Sequence, residues 1–197
     1  MIHIVDDEEA IRDALQFLFA SRGLEARGWP SGEAFLAAQP LADCTAIILD
    51  VRMEGISGPE VFERLRTMGI ATPVIFLTGH ADVPVAVRTL KAGAFDFIEK
   101  PFNDNQIVDR SEAAIASHRE TETARAARSR LAARRDTLSA REQEVMACML
   151  SGAKNKQIAD ELGIAMRTVE VHRGRVLAKM GAANAIELAA MLGLLRG

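Results

Sequence analysis

The chain has no apolar run approaching the ~20 residues that a membrane span requires, so a membrane-embedded role is not expected. It has no internal repeat and no low-complexity tract, which argues against a solenoid or a long disordered arm. It has only two cysteines, Cys44 and Cys148, far apart and without metal-ligand spacing. A zinc site is therefore not expected, and their apolar neighbours point to buried thiols in a reducing cytoplasm rather than to a disulfide. No leader pattern precedes the first strand-like run at Ile2, so no signal peptide is expected and the protein reads as cytoplasmic.

What is present is an ordinary globular composition, 49% hydrophobic and 26% charged, in 197 residues. That length accommodates one large or two small domains, and the charge distribution favours two. Residues 1–116 carry 10 Lys/Arg against 18 Asp/Glu, whereas 117–138 carry 6 against 3 and 139–197 carry 8 against 6. An acidic front and a mildly basic back suit different partners.

From Ile2 to about His118 the pattern alternates strand and helix. Strands are expected at 2–6, 25–29, 46–50, 73–78 and 95–98, and helices at 8–22, 31–39, 58–68, 83–92 and 103–118. In the first helix Ile11, Ala14, Leu15, Leu18 and Phe19 form one apolar stripe, closed by Gly23, and Ser31 suits the N-cap of the second. Five βα units imply an α/β fold: a parallel five-stranded sheet covered on both faces, with the flavodoxin-like order 2-1-3-4-5. That order makes strands 1 and 3 neighbours at the switch point, where ligands collect.

The run Ala46-Ile47-Ile48-Leu49-Asp50 is a buried strand that carries Asp50 to its carboxyl end. The first strand ends in Asp6 and Asp7, the fourth in Thr78, and the fifth in Lys100-Pro101. Taken singly these have bland readings: an acid pair complements a helix N-terminus, and Thr78-Gly79 or Lys100-Pro101 is a turn. Taken together, all fall on the one sheet edge where chemistry sits. Three carboxylates there require a cation, and hard oxygen donors without His or Cys select Mg²⁺. A carboxylate beside such an ion can attack a phosphoryl group, while a lysine and a hydroxyl stabilise the equatorial oxygens.

Val5-Asp6-Asp7-Glu8, Leu49-Asp50-Val51-Arg52-Met53, Leu77-Thr78-Gly79-His80 and Glu99-Lys100-Pro101-Phe102 resemble the signature blocks of bacterial two-component receiver domains. The resemblance, over 1–118, implies phosphorylation of Asp50 by a sensor histidine kinase. It further implies that Asp7, Asp50 and the Arg52 carbonyl hold Mg²⁺, that Asp6 acts through the metal's waters, and that Thr78 and Lys100 bind the phosphoryl group. Thr78 and Phe97 take the positions of switch residues, with Phe97 otherwise readable as a core aromatic. Val83, Val87, Leu90 and Lys91 are candidate contacts of a phosphorylation-dependent homodimer. The sequence departs from the family at Glu54, where proline is usual.

Residues 119–137, rich in arginine and alanine, read as an extension of the fifth helix or a loose helical linker. The segment 138–197 reads as four short helices at 139–151, 154–162, 166–181 and 184–193, punctuated by Gly152, Gly163 and Gly181. The middle pair has helix-turn-helix spacing. On 166–180, Val169, His172, Val176 and Met180 share one face, expected to be buried, with His172 a packed core histidine. Arg167, Val171, Gly174 and Arg175 share the opposite face and suit a major groove, Arg on guanine and Val on a thymine methyl. Glu170 at its edge can accept from cytosine. Lys154, Lys156, Thr168 and Lys179 are expected on phosphates. The alternative is a four-helix domain with solvated charges.

Leu138-Ser139-Ala140-Arg141-Glu142, Asn155-Lys156-Gln157-Ile158-Ala159 and Thr168-Val169-Glu170-Val171-His172-Arg173 resemble the LuxR/NarL-type DNA-binding domain, which adds Arg173 to the candidate contacts. The whole chain resembles FixJ-type response regulators, which implies promoter DNA and RNA polymerase as partners and pairing of DNA-binding domains through Ile186 to Leu192. It is then no enzyme beyond Mg²⁺-dependent phosphorylation and dephosphorylation of its own Asp50. Two rival readings remain at this level: a dimeric DNA binder with a vestigial acidic pocket, and an aspartyl-phosphate phosphatase. The second expects an acid where Arg52 stands.

Overall fold

The computed structural model describes residues 1–39, 41, 43–79 and 83–193. The chain forms two compact units, Met1–Thr121 and Glu122–Gly197.

In the first unit, β1 (Ile2–Val5), β2 (Ala26–Trp29), β3 (Ala46–Asp50), β4 (Val74–Thr78) and β5 (Asp96–Glu99) alternate with α1 (Glu9–Ser21), α2 (Gly32–Ala37), α3 (Gly58–Thr67), α4 (Val83–Lys91) and α5 (Asp104–Asp136). All strand pairs are parallel, in the order β2-β1-β3-β4-β5. The two-residue strand period sorts the side chains. Ile2, Ile4, Ile48, Ile75 and Leu77 bury against Leu15 and Phe19 of α1 and Ile107 and Ile115 of α5. Ile47, Leu49, Val74 and Phe76 bury against Phe35 of α2 and Val61, Phe62 and Leu65 of α3. With both faces covered, each fully buried large side chain contributes about 1.5–3 kcal/mol. Helix ends follow local chemistry: Ser31 accepts from the Ala34 amide, and Gly23, where α1 stops, has φ +74°.

The expected elements are present with ends shifted by a residue or two. Residues 119–137 continue α5 as helix as far as Asp136. The division between the two units falls inside this helix, after Thr121.

In the second unit, α6 (Ala140–Leu150), α7 (Asn155–Leu162), α8 (Met166–Met180) and α9 (Ala185–Gly193) enclose a core of Val145, Met149, Ile158, Val169, Val176, Met180 and Leu188. Leu131, on α5, belongs to the same core. A capping box of Ser139 and Glu142 opens α6, and glycines in the left-handed region, Gly163 and Gly181, end α7 and α8. Arg134 Nη1 donates to the Met180 carbonyl at 3.0 Å, satisfying a helix end. Both cysteines are free and buried. Among the described residues no single helix is long and apolar enough to cross a membrane.

Candidate functional site

Parallel register sets Val5 beside Leu49 and Leu77 beside Asp50, so the residues leaving β1, β3 and β4 emerge together. Asp6 is fully buried and Asp50 is 7% exposed. Lys100, which follows β5, places Nζ 2.9 Å from Asp6 Oδ2 and 2.9 Å from Asp50 Oδ1, with Glu8 Oε1 at 3.6 Å. Burial pushes the Asp50 carboxyl above its ordinary range, and the Lys100 contact offsets this only in part. Burial alone would make Lys100 a weaker base, but its bonds to Asp6 and Asp50 outweigh that and hold it protonated.

Between Asp6 and Asp50 the positive charge in place is the Lys100 ammonium. Asp7 is exposed and turns elsewhere, its Oδ2 accepting from the Glu54 amide at 2.9 Å. Among the described residues no three acids, histidines or cysteines stand close enough to hold a metal. The chemistry of the donor set still fits magnesium: the groups assigned to it are carboxylate and carbonyl oxygens, without nitrogen or sulfur.

Thr78 is buried, and its Oγ1 donates to the Gly79 carbonyl at 3.1 Å. Phe97 pairs with Phe76 in the β4–β5 register and is 37% exposed, so it is not the plain core aromatic that position also allowed. Val87, Leu90 and Lys91 are exposed on α4. The Val83 side chain and His80, Ala81 and Asp82, part of the sequence resemblance, lie outside the described residues.

The backbone around the acids is held by residues the sequence pattern did not single out. Arg12 Nη1 donates to the carbonyls of Asp6 and Asp7, at 2.8 and 2.9 Å, and the Glu8 amide donates to Asp6 Oδ1 at 2.9 Å. The Arg52 amide donates to Asp50 Oδ2 at 3.0 Å. A Cβ on Gly58 would collide with the Asp50 carbonyl oxygen, so α3 reaches the acceptor strand only because residue 58 has no side chain. The Glu54 amide bond to Asp7 is one that a proline at this position could not make.

In the second unit, Arg167, Thr168, Glu170, Val171, Gly174 and Arg175 are exposed on α8, and Val169, Val176 and Met180 are buried beneath them. Arg173 is half-buried. Lys154 and Lys156 are exposed at the start of α7. His172, expected as a packed core histidine, is half-buried, and its Nδ1 is buried without a hydrogen-bond partner among the described residues. Lys179 departs from the geometry expected of a phosphate contact. Rather than reaching outward for phosphate, its Nζ bonds Glu142 Oε2 at 2.6 Å and the Thr137 carbonyl at 3.0 Å. Glu142 is buried and also accepts from the Ser139 amide, and Lys179 with this amide lowers its pKa to about 2. An internal charge pair at the end of α8 claims that lysine. On α9, Ile186 is 83% exposed while Leu188 is buried.

Comparison with known proteins bears on both units. Residues 2–112 match the response regulator receiver domain, and residues 136–192 match the luxR family of bacterial regulatory proteins. The C4-dicarboxylate transport transcriptional regulatory protein DctR of Rhodobacter capsulatus is 65% identical over 192 residues, covering 96% of this chain and 98% of that one. The transcriptional regulatory protein FixJ of Azorhizobium caulinodans is 44% identical over 190 residues, covering 96% and 90%. Among solved structures, the response regulator StyR matches with a TM-score of 0.91 at 34% identity, covering 98% of this chain and 97% of that one. The chain therefore belongs to the two-component response regulators, and it joins a receiver domain to a luxR-type DNA-binding domain that regulates transcription.

Proposed function

We propose that Asp50 accepts a phosphoryl group from a phosphohistidine of a sensor histidine kinase in the cytoplasm, and that the aspartyl phosphate switches the chain into a dimer competent to bind promoter DNA. The observation that carries this is Lys100 Nζ at 2.9 Å from both Asp6 and Asp50 on the carboxyl edge of the sheet. In the transfer an Asp50 carboxylate oxygen forms the new P–O bond as the P–N bond to the donor imidazole breaks. The leaving nitrogen takes a proton. The Lys100 ammonium, already in the pocket, can shift its charge from the carboxylates to the incoming phosphoryl oxygens. Asp7, Asp50 and the Arg52 carbonyl would hold Mg²⁺, with Asp6 acting through its waters. The ion, when bound, supplies positive charge to the phosphoryl oxygens.

Among the described residues Thr78 Oγ1 donates to a neighbouring carbonyl alone, so exchanging that for a phosphoryl oxygen is inexpensive. Its movement would vacate space into which Phe97, now exposed, would turn. The surface altered is that of α4 and β5, where Val87 and Leu90 are exposed for a second receiver. Dimerisation then raises the effective concentration of the second DNA-binding domain at its half-site. There Arg167, Glu170, Val171, Arg173 and Arg175 face base edges, and Lys154, Lys156 and Thr168 face phosphates. RNA polymerase is the downstream partner. The identity with DctR supports genes of C4-dicarboxylate transport as the regulated target.

The test is intact-mass measurement after incubation with Mg²⁺ and phosphoramidate, a small-molecule phosphodonor. The native chain gains one phosphoryl group and sediments as a dimer, and Asp50→Asn does neither. A phosphorylated chain that stays monomeric overturns the dimer step, and a native chain that takes no phosphoryl group overturns the whole reading.

A further inference from the structure

The loop between β3 and α3 is fastened by its amides. Four of its amides donate to carboxylates, and the acceptors fall into two classes. Arg52 N bonds Asp50 Oδ2 at 3.0 Å and Glu54 N bonds Asp7 Oδ2 at 2.9 Å, so the near half of the loop hangs on pocket acids. Ile56 N bonds Glu33 Oε1 at 3.0 Å and Ser57 N bonds Glu60 Oε2 at 2.9 Å, so the far half hangs on acids outside the pocket. Gly55 lies between the halves with φ +83°, a conformation that favours glycine, and a Cβ there would also run into Glu33 Oε1. Ile56 is held by its side chain as well, since a Cβ on Gly32 of α2 would run into it. Amide donation from its own backbone and from Ile56 holds the Glu33 carboxyl below the ordinary range.

We propose that Glu33 is a positioning residue for the phosphoacceptor: by pinning Ile56 it fixes the far half of the loop, so that only the near half, from Arg52 to Glu54, follows the state of Asp7 and Asp50. This rests on the phosphorylation of Asp50 proposed above. An ion drawing on Asp7 and Asp50, or a phosphoryl group esterifying one Asp50 oxygen, competes for the lone pairs that hold the Arg52 and Glu54 amides. It leaves the Ile56 and Ser57 amides their acceptors. The loop therefore divides at Gly55 into a part that reports occupancy and a part that keeps α3, and with it the geometry of the acceptor strand, in place. Without Glu33 the Ile56 amide loses its acceptor, the moving part of the loop extends past Gly55 to Ile56, and Asp50 is presented less well to a donor.

Amide ¹H–¹⁵N spectra of the full chain, recorded with Mg²⁺ alone and then with Mg²⁺ and phosphoramidate, test this directly. In the native chain the Arg52 and Glu54 signals should shift while those of Ile56 and Ser57 stay. In Glu33→Ala the Ile56 signal should shift as well, with Ser57 still held by Glu60, and phosphorylation of Asp50 should slow about tenfold, roughly the rate effect of 1.4 kcal/mol. Glu33→Gln, whose side-chain oxygen can still accept from Ile56, should recover most of that rate. Four amides moving together in the native chain, a native rate in Glu33→Ala, or no recovery in Glu33→Gln would each overturn the proposal. The native spectra decide even if Glu33→Ala folds poorly. Should the native chain take no phosphoryl group, the underlying reading fails; should it take one while the loop moves as a unit, only the role of Glu33 fails.

Discussion

Each unit of this protein sets a lysine against a buried carboxylate, and the two pairings serve opposite ends. In the receiver, Lys100 is shared by Asp6 and Asp50 at equal distance, with Glu8 nearby. In the DNA-binding unit, Lys179 meets one acid, Glu142, which also accepts from a capping amide. The difference is stoichiometric. One cation between two buried acids leaves net negative charge, the surplus that the proposed metal ion and phosphoryl transfer would draw on. One cation on one capped acid is closed, and its work is to tie the end of α8 to the start of α6. A buried charge pair is thus neither functional nor structural by type; the surplus of one sign decides.

The comparison is broken most severely at Lys100. Lys100→Met should slow phosphorylation of Asp50 by phosphoramidate ~100-fold, the scale of removing one electrostatic stabiliser, and leave DNA binding by the unphosphorylated chain unchanged. Lys179→Met should do the reverse: a native rate of phosphorylation, and a lower melting temperature for the DNA-binding unit. Similar rates in the two variants would undo the distinction.

Acid separates the units next. His3 of β1 is buried and accepts from Trp29 Nε1 at Nδ1, at 2.9 Å. Burial, with the positive N-terminus and Arg27 nearby, lowers its pKa from 6.5 to about 4. Its folded pKa is depressed, so the unfolded chain protonates first as pH falls. The contribution to stability is whole above pH 6.5, is lost as pH falls toward 4, and amounts to about 3 kcal/mol. Glu142, lowered from 4.5 to about 2, withdraws its support only below pH 4.5. Denaturant melts at pH 7 and pH 5 should therefore weaken the receiver alone, followed by fluorescence of Trp29, the single tryptophan of the chain. His3→Phe should flatten that dependence.

On the DNA side, Arg175→Ala should weaken binding to the target promoter by about 1–3 kcal/mol if the side chain reads a base, measured by fluorescence anisotropy. The smallest effect sharpens the contrast between exposed and engaged lysines. Lys154→Gln should lower the slope of log affinity against log salt by about 1, whereas Lys179→Gln should leave that slope as it is.

How much of this could be read from the residues depended on whether partners are announced by pattern. Asp50, Asp6, Thr78 and Lys100 each end a strand-like run, so a parallel sheet alone predicts their meeting. Nothing in a run of letters reveals that Lys100 lies between Asp6 and Asp50 while Asp7 turns to the Glu54 amide, because that is a choice among several acids within reach. Lys179 was read as a phosphate contact from its place on α8, and its true partner, Glu142, lies 37 residues away on a face the helical period does not mark. Arg12 and Glu33 act on backbone carbonyls and amides, which every residue has, so their roles carry no signature. Gly58 was legible only as a helix start; the closeness of the Asp50 carbonyl gives it its reason.

The last turns of α5 bear on how the protein may be cut. Leu131 is 6% exposed and the Arg134 guanidinium serves the carbonyl of Met180, so a fragment starting at Leu138, where the helix-turn-helix pattern begins, would lack a core side chain and a helix cap. Such a fragment would understate the affinity and the stability of the DNA-binding unit, and the deficit would be mistaken for regulation by the missing receiver. A fragment beginning at Glu122 keeps both groups and gives a fair baseline against which any effect of the receiver is measured.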